Sequence, residues 1–231
     1  MTALFVRRRP GAGRPVVFLH GLASSGDRDW PDADWSPLLG DRPSLVVDLP
    51  AHGASPAPGV VTSTGVLDLI AAAVDDVEVD LVGYSLGARL AWDLARHPSM
   101  RVRRLVLGGL AAGEPFGHVD LAAARSALAG GGQPAAPLTG MILQMASAPG
   151  NRPEGILDLI EGLAAEPFDP SAGSPVVPTL LVGGLDDEMA AGIDDLAAML
   201  PDGRVLRVLG DHVGALRSPE FREAAIDFLT V

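Results

Sequence analysis

Ser85 stands in Gly83-Tyr84-Ser85-Leu86-Gly87, directly after the apolar run Leu81-Val82 and directly before the helix-forming run Ala88 to Leu94. A hydroxyl at such a junction sits on a tight strand-to-helix turn, and small residues two before and two after it let the backbone pass close to its neighbours. The N-terminus of the following helix aims free N–H groups at any negative charge that develops there. Serine is a poor nucleophile until a base takes its proton. Histidine can be that base, and a carboxylate then fixes its tautomer and stabilises the imidazolium. His212 follows the apolar run Val205 to Val208 through Leu209-Gly210-Asp211, and Asp186 follows Thr179 to Val182 through Gly183-Gly184-Leu185. All three fall just past the C-terminal ends of predicted strands, the edge of an open α/β sheet where sites form. The chemistry this predicts is acyl transfer through Ser85, with His212 as base and Asp186, in preference to its neighbour Asp187, as the orienting acid. Asp211 is next to His212 in the chain, and adjacent side chains point apart.

A tetrahedral intermediate also needs donors for its oxyanion. Leu86 follows the nucleophile directly. Leu22 follows His20-Gly21, which itself ends the run Val16 to Leu19. Their two backbone N–H groups can form that pair, and losing one such donor typically costs roughly 3 kcal/mol.

The elements that must position these residues are legible as short, continuous apolar runs. They are Val16–Leu19, Leu45–Val47, Asp80–Gly83, Arg104–Leu107, Thr179–Val182 and Arg204–Val208, with helical stretches between them at Thr64–Val74, Ala88–Arg96, Ile193–Leu200 and Pro219–Leu229. Continuous rather than alternating runs suit strands covered on both faces, and the alternation of strand and helix predicts a mostly parallel, doubly wound sheet. Residues 111–175 break the rhythm. They are rich in Ala, Gly and Pro, with helical pieces near Val119–Ala129, Leu138–Ala146 and Glu154–Ala165. We expect a small helical cap inserted into one α/β domain spanning residues 1–231. Met141 and Met145, four apart in a cap helix, and Tyr84 beside the serine are the candidate substrate contacts.

Taken together and in order, His20-Gly21, the Asp48-to-Ser55 turn, the Ser85 motif, Gly183 to Asp186 and His212 with its final helix resemble the α/β-hydrolase superfamily over nearly the whole chain. The resemblance implies that fold, the order serine, acid, histidine, a cap over the site and the oxyanion donors Leu22 and Leu86. It also implies that His52 lies too early to be the base, leaving the Asp48–Ser55 segment as a structural turn. Within the superfamily, Gly83-Tyr84-Ser85-Leu86-Gly87-Ala88-Arg89-Leu90-Ala91 and Gly183-Gly184-Leu185-Asp186 resemble the menaquinone-pathway synthase branch, a retro-ene lyase in which the arginine matching Arg89 helps hold a carboxylate. The chain departs from the superfamily at Ala51, where glycine is usual, and at Asp211, inserted before the histidine. Its first hairpin is reduced to about Ala3 to Arg9. Arg89 is otherwise expected at an exposed position of the nucleophile helix.

Composition narrows the function. The chain has no cysteine, which removes disulfides, thiolate metal sites and a cysteine nucleophile together. A net charge of −12 opposes nucleic acid and anionic lipid surfaces. Arg7, Arg8 and Arg9 are followed by Gly and Pro rather than an apolar stretch, so no secretory leader is expected, and no apolar run is long enough for a membrane span. No metal-ligand cluster, phosphate loop or dinucleotide fingerprint is present, so neither a metal nor a cofactor is implied. Between Gly113 and Pro175 the only cations are Arg125 and Arg152, too few for a substrate with several carboxylates. The expectation is a cytoplasmic serine hydrolase acting on a small molecule, cleaving small, uncharged carboxylic esters through an acyl-enzyme on Ser85. The alternatives are C–C hydrolysis or elimination on the same residues, and a ligand-binding protein with little turnover. Oligomeric state is not legible.

Overall fold

The computed structural model describes residues 3–75 and 78–230. Seven strands, β1 (Val6–Arg9), β2 (Val16–Leu19), β3 (Ser44–Val47), β4 (Glu78–Tyr84), β5 (Arg101–Gly108), β6 (Thr179–Gly184) and β7 (Gly203–Val208), form one sheet in the order β1-β3-β2-β4-β5-β6-β7. Only β1 runs antiparallel, paired along β3 from Val6↔Val47 to Arg9↔Ser44.

The continuous apolar runs are explained by the period of two. Val17, Leu19, Leu45, Val47, Leu81, Leu105, Leu107 and Leu181 face one side, where they pack with the helices α3 (Ser63–Val74), α4 (Leu86–Leu94) and α8 (Ile193–Ala198). Val16, Phe18, Val46, Val82, Val106, Leu180, Val182 and Val208 face the other, against α2 (Asp32–Leu39) and α10 (Pro219–Thr230). Both faces of the central strands are covered, so their middle stretches carry apolar residues at successive positions instead of at every second one. On the second face Phe18, Trp30, Trp35 and Phe221 form an aromatic cluster with centroid separations of 5.0 to 6.4 Å. The two tryptophans thus anchor the segment that carries the short helix α1 (Gly26–Asp29) and α2, neither of which has a strong periodic signal.

Between β5 and β6 the chain leaves the sheet and forms α5 (Leu121–Leu128), α6 (Pro137–Ala146) and α7 (Pro153–Ala165). The insertion is tied to the body through the loop between α6 and α7. Arg152 directs its guanidinium to the backbone carbonyls of Gly53 (3.0 Å) and Ser55, and Asn151 Nδ2 donates to the Ala23 carbonyl at 2.9 Å. Arg125, the other cation of the segment, is held by Asp158 (2.8 Å) and Glu161 (2.7 Å). The last helices are α9 (His212–Arg217) and α10. No helix among the described residues is long and apolar enough to cross a membrane.

Candidate active site

The C-terminal ends of β2, β4, β5, β6 and β7 converge on one cavity of about 690 Å³, within the range of small-molecule sites. Ser85 enters it from the junction of β4 and α4. Its backbone has φ 53° and ψ −116°, a conformation that L-residues rarely adopt. Two things hold it there. The Ser85 N–H donates to Gly108 O at 2.8 Å, and the Arg89 N–H donates back to Ser85 O at 3.0 Å. The glycines are obligatory for packing: a Cβ on Gly83 would lie 2.4 Å from Gly87 O, and one on Gly87 would lie 2.2 Å from Leu19 O. No side-chain capping bond engages the hydroxyl.

His212 lines the same cavity, at the start of α9. Its Nδ1 is 2.8 Å from Asp187 Oδ2. This corrects the expectation for the acid: Asp187, not Asp186, faces the imidazole. Asp187 is buried, whereas Asp186 is exposed and contributes its N–H to Gly210 O. The reason is local. Asp187 caps a short 3₁₀ turn, Glu188–Ala190, and its Oδ1 accepts from the N–H groups of Met189 (3.0 Å) and Ala190 (3.3 Å). That cap turns its second oxygen inward. Asp211 is likewise a cap, accepting from Val213 and Gly214 at the start of α9, which accounts for its insertion before the histidine. No hydrogen bond joins Ser85 Oγ to the His212 ring among the described residues. Contacts of this kind commonly close only around substrate.

Leu22 and Leu86 both line the cavity, and neither backbone N–H has an acceptor among the described residues. The loop bearing Leu22 is braced on both sides. Gly21 N–H donates to Asp29 Oδ2 at 2.8 Å, and Ala23 N–H donates to His52 Nε2, also at 2.8 Å. His52 must then carry its proton on Nδ1, 2.8 Å from Pro50 O. His20 behaves the same way, accepting from the Leu49 N–H at Nε2 (3.0 Å) and facing Gly21 O with Nδ1 (2.8 Å). The two rings lie 5.1 Å apart and are fully enclosed. Burial, reinforced by the proximity of His20, pushes the His52 pKa down to about 3. Burial also lowers that of His20. They are neutral braces, as expected for the Asp48–Ser55 segment. Within it Asp48 accepts from Gly26 and Ala54 (both 2.8 Å), and Ser55 Oγ accepts from Phe5 N–H (2.8 Å). Ala51 sits at φ 65°, which is why glycine is the easier residue there.

The remaining expected contacts divide. Met141 and Met145 line the cavity from α6 and are partly exposed at its mouth, so they are not core residues. Tyr84 lines the cavity, and its hydroxyl is engaged, donating to His212 O at 2.6 Å. Burial, with the charge of Asp187, pushes that phenol up, so it stays protonated. Arg89 is not exposed. It is buried, lines the cavity and is paired with Glu114. Arg28 and Arg217 also line the cavity; a count of cations confined to the cap left these two out. Among the described residues no group of three or more His, Cys, Asp or Glu could hold a metal ion.

A sequence model of the alpha/beta hydrolase family matches residues 16–224. A 2-succinyl-6-hydroxy-2,4-cyclohexadiene-1-carboxylate synthase of Yersinia enterocolitica is 40% identical over 92 residues, 36% of this chain and 30% of that protein. A synthase of the same name from Klebsiella pneumoniae is 39% identical over 101 residues, 41% of this chain and 37% of that protein. The matches thus span about a third of those relatives' length. Among solved structures, the enol-lactonase from Burkholderia xenovorans LB400 superposes with a TM-score of 0.74 at 23% identity, over 99% of this chain and 96% of that one. At that identity the likeness is one of fold.

Proposed function

This chain belongs to the alpha/beta hydrolase family, and on that premise we propose that it is a serine hydrolase cleaving small, mostly apolar, uncharged carboxylic esters. Ser85 Oγ attacks the ester carbonyl as His212 Nε2 takes its proton. Asp187 holds Nδ1–H and stabilises the imidazolium. The carbonyl oxygen becomes an oxyanion facing the Leu22 and Leu86 amides. Collapse expels the alcohol, which receives the proton from His212, and leaves an acyl group on Ser85. Water, deprotonated by His212, attacks the acyl carbon, and the carboxylic acid leaves with Ser85 reprotonated.

One observation carries this reading: a histidine oriented by a buried carboxylate shares a cavity with a serine hydroxyl held in a strained turn. The substrate class rests on the cap, whose contributions to the cavity include Leu138, Met141, Ile142 and Met145. Arg125 and Arg152 are spent on contacts elsewhere. Such a wall excludes water and strengthens the oxyanion contacts. We place the enzyme in the cytoplasm, in keeping with a chain free of cysteine.

A second reading is elimination of the kind named in the synthases, with Ser85 or His212 taking a proton from carbon. The local identity to those proteins and the presence of Arg28 and Arg217 on the cavity favour it. The deciding experiment compares kcat/KM for neutral short-chain esters with that for the cyclohexene carboxylate substrate of such a synthase. The ester should be the better substrate. Efficient elimination with weak ester turnover would overturn the hydrolase reading, and binding of either compound without turnover would point to a ligand-binding protein.

A further inference from the structure

Arg89 lies one helical turn beyond Ser85 on α4, and its side chain is only 6% exposed although it lines the cavity. A guanidinium in such a wall is by its chemistry a receptor for a carboxylate. Here the chain supplies one. Glu114 comes from the segment between β5 and α5, and its Oε2 lies 2.5 Å from Arg89 Nε, with a side chain 4% exposed. Arg89 Nη2 donates to Ser63 Oγ (2.8 Å) and Glu166 O (2.9 Å), and the Phe168 N–H donates to Glu114 Oε2 at 3.0 Å. Burial pushes the Glu114 carboxyl up and the Arg89 guanidinium down, and each opposes the other's shift by its charge. At Arg89 the wall is therefore balanced in charge, and a second carboxylate brought against it by a ligand would meet Glu114; the other two arginines on the cavity, Arg28 and Arg217, come from α1 and α9 and not from this wall.

We propose that Glu114 is a specificity-determining residue, an internal carboxylate that occupies Arg89 and closes this wall to ligands carrying a carboxylate of their own. The inference rests on the reading of the cavity as the substrate site, but it concerns binding and does not require that esters be turned over. With the charge of Glu114 removed, Arg89 is a buried cation short of an anion, and the preference reverses.

The test is calorimetric titration of benzoate and its neutral twin benzamide into wild type and Glu114→Gln, which keeps the shape and an acceptor for Phe168. Benzoate should tighten by about tenfold or more in the variant while benzamide changes by less than about threefold. An unchanged benzoate-to-benzamide ratio in a folded variant overturns the proposal. A second measurement needs only wild type: an activated ester with a terminal carboxylate on its acyl chain against its methyl-capped twin. A wild-type kcat/KM at least about tenfold higher for the neutral ester supports the proposal, and equal or reversed values overturn it. If neither ester is turned over but the benzoate ratio switches, the ester-hydrolase reading fails and the role of Glu114 stands.

Discussion

Asp187→Asn tests the relay at its most specific point. Asp187 Oδ1 accepts from the N–H groups of Met189 and Ala190, and Oδ2 faces His212 Nδ1. An asparagine in this place must keep its carbonyl oxygen toward the two amides, because its NH₂ cannot accept from them. The NH₂ then points at Nδ1. The ring can meet it only by moving its proton to Nε2, and that tautomer cannot take the proton of Ser85. The fold loses one charged contact while the chemistry loses its base. By analogy with the same substitution in serine proteases, kcat should fall by roughly 10⁴-fold, about 5 kcal/mol of transition-state stabilisation. Asp186→Asn, whose side chain is exposed, should stay within about threefold of wild type, as surface changes away from a site usually do. The assay is steady-state hydrolysis of an activated neutral ester by purified variants with matched circular dichroism. An Asp187→Asn enzyme within tenfold of wild type, or equal losses at the two positions, would refute the argument.

Ser85→Ala should fold with a melting temperature close to wild type and lose ester turnover by several orders of magnitude, since removal of one member disables the relay; wild-type rates in that variant would exclude Ser85 as nucleophile. Acid should unfold the protein through its buried histidines. His52 binds a proton below 6.5 when unfolded but only below about 3 when folded, so stability is complete above the first value and declines as pH falls toward the second. At pH 5 the His52 contribution alone amounts to about 2 kcal/mol, and His20 acts in the same direction. Urea midpoints at neutral pH and at pH 5 should show the decline, and a His52→Asn variant with an equally steep decline would argue against it.

The sheet was legible because burial on both faces writes strands as unbroken apolar runs: Val16–Leu19 is a strand end to end, and the other five runs lie within strands that extend them by a few residues. Ser85 and His212 could be singled out for a related reason, since each lies within a few residues of the end of such a run. The choice between Asp186 and Asp187 was not, because two adjacent carboxylates have the same composition and differ only in direction. The missed signal was positional: an aspartate before Glu188-Met189-Ala190 is a helix-cap pattern, and the cap fixes which oxygen turns inward. Glu114 left no trace at all. Nothing in local periodicity couples it to Arg89, which was expected on an exposed face, and only the return of the chain after β5 brings them together. The helices α1, α2 and α9 were likewise not anticipated, although α5 and α8, no longer than α2, were.

The ties made by Asn151 and Arg152 have a bearing on inheritance. They fasten the insertion to the carbonyls of Ala23, Gly53 and Ser55, on the two loops that also carry Leu22 and His52. Residues 23, 53, 55, 151 and 152 thus form one mechanical unit scattered over three parts of the gene. A chimaera that imports a foreign cap between β5 and β6 would sever that unit and leave the loop bearing Leu22 without one of its supports. A working exchange of the cap would therefore have to carry both loops with it, or rebuild the joint by substitution on both sides.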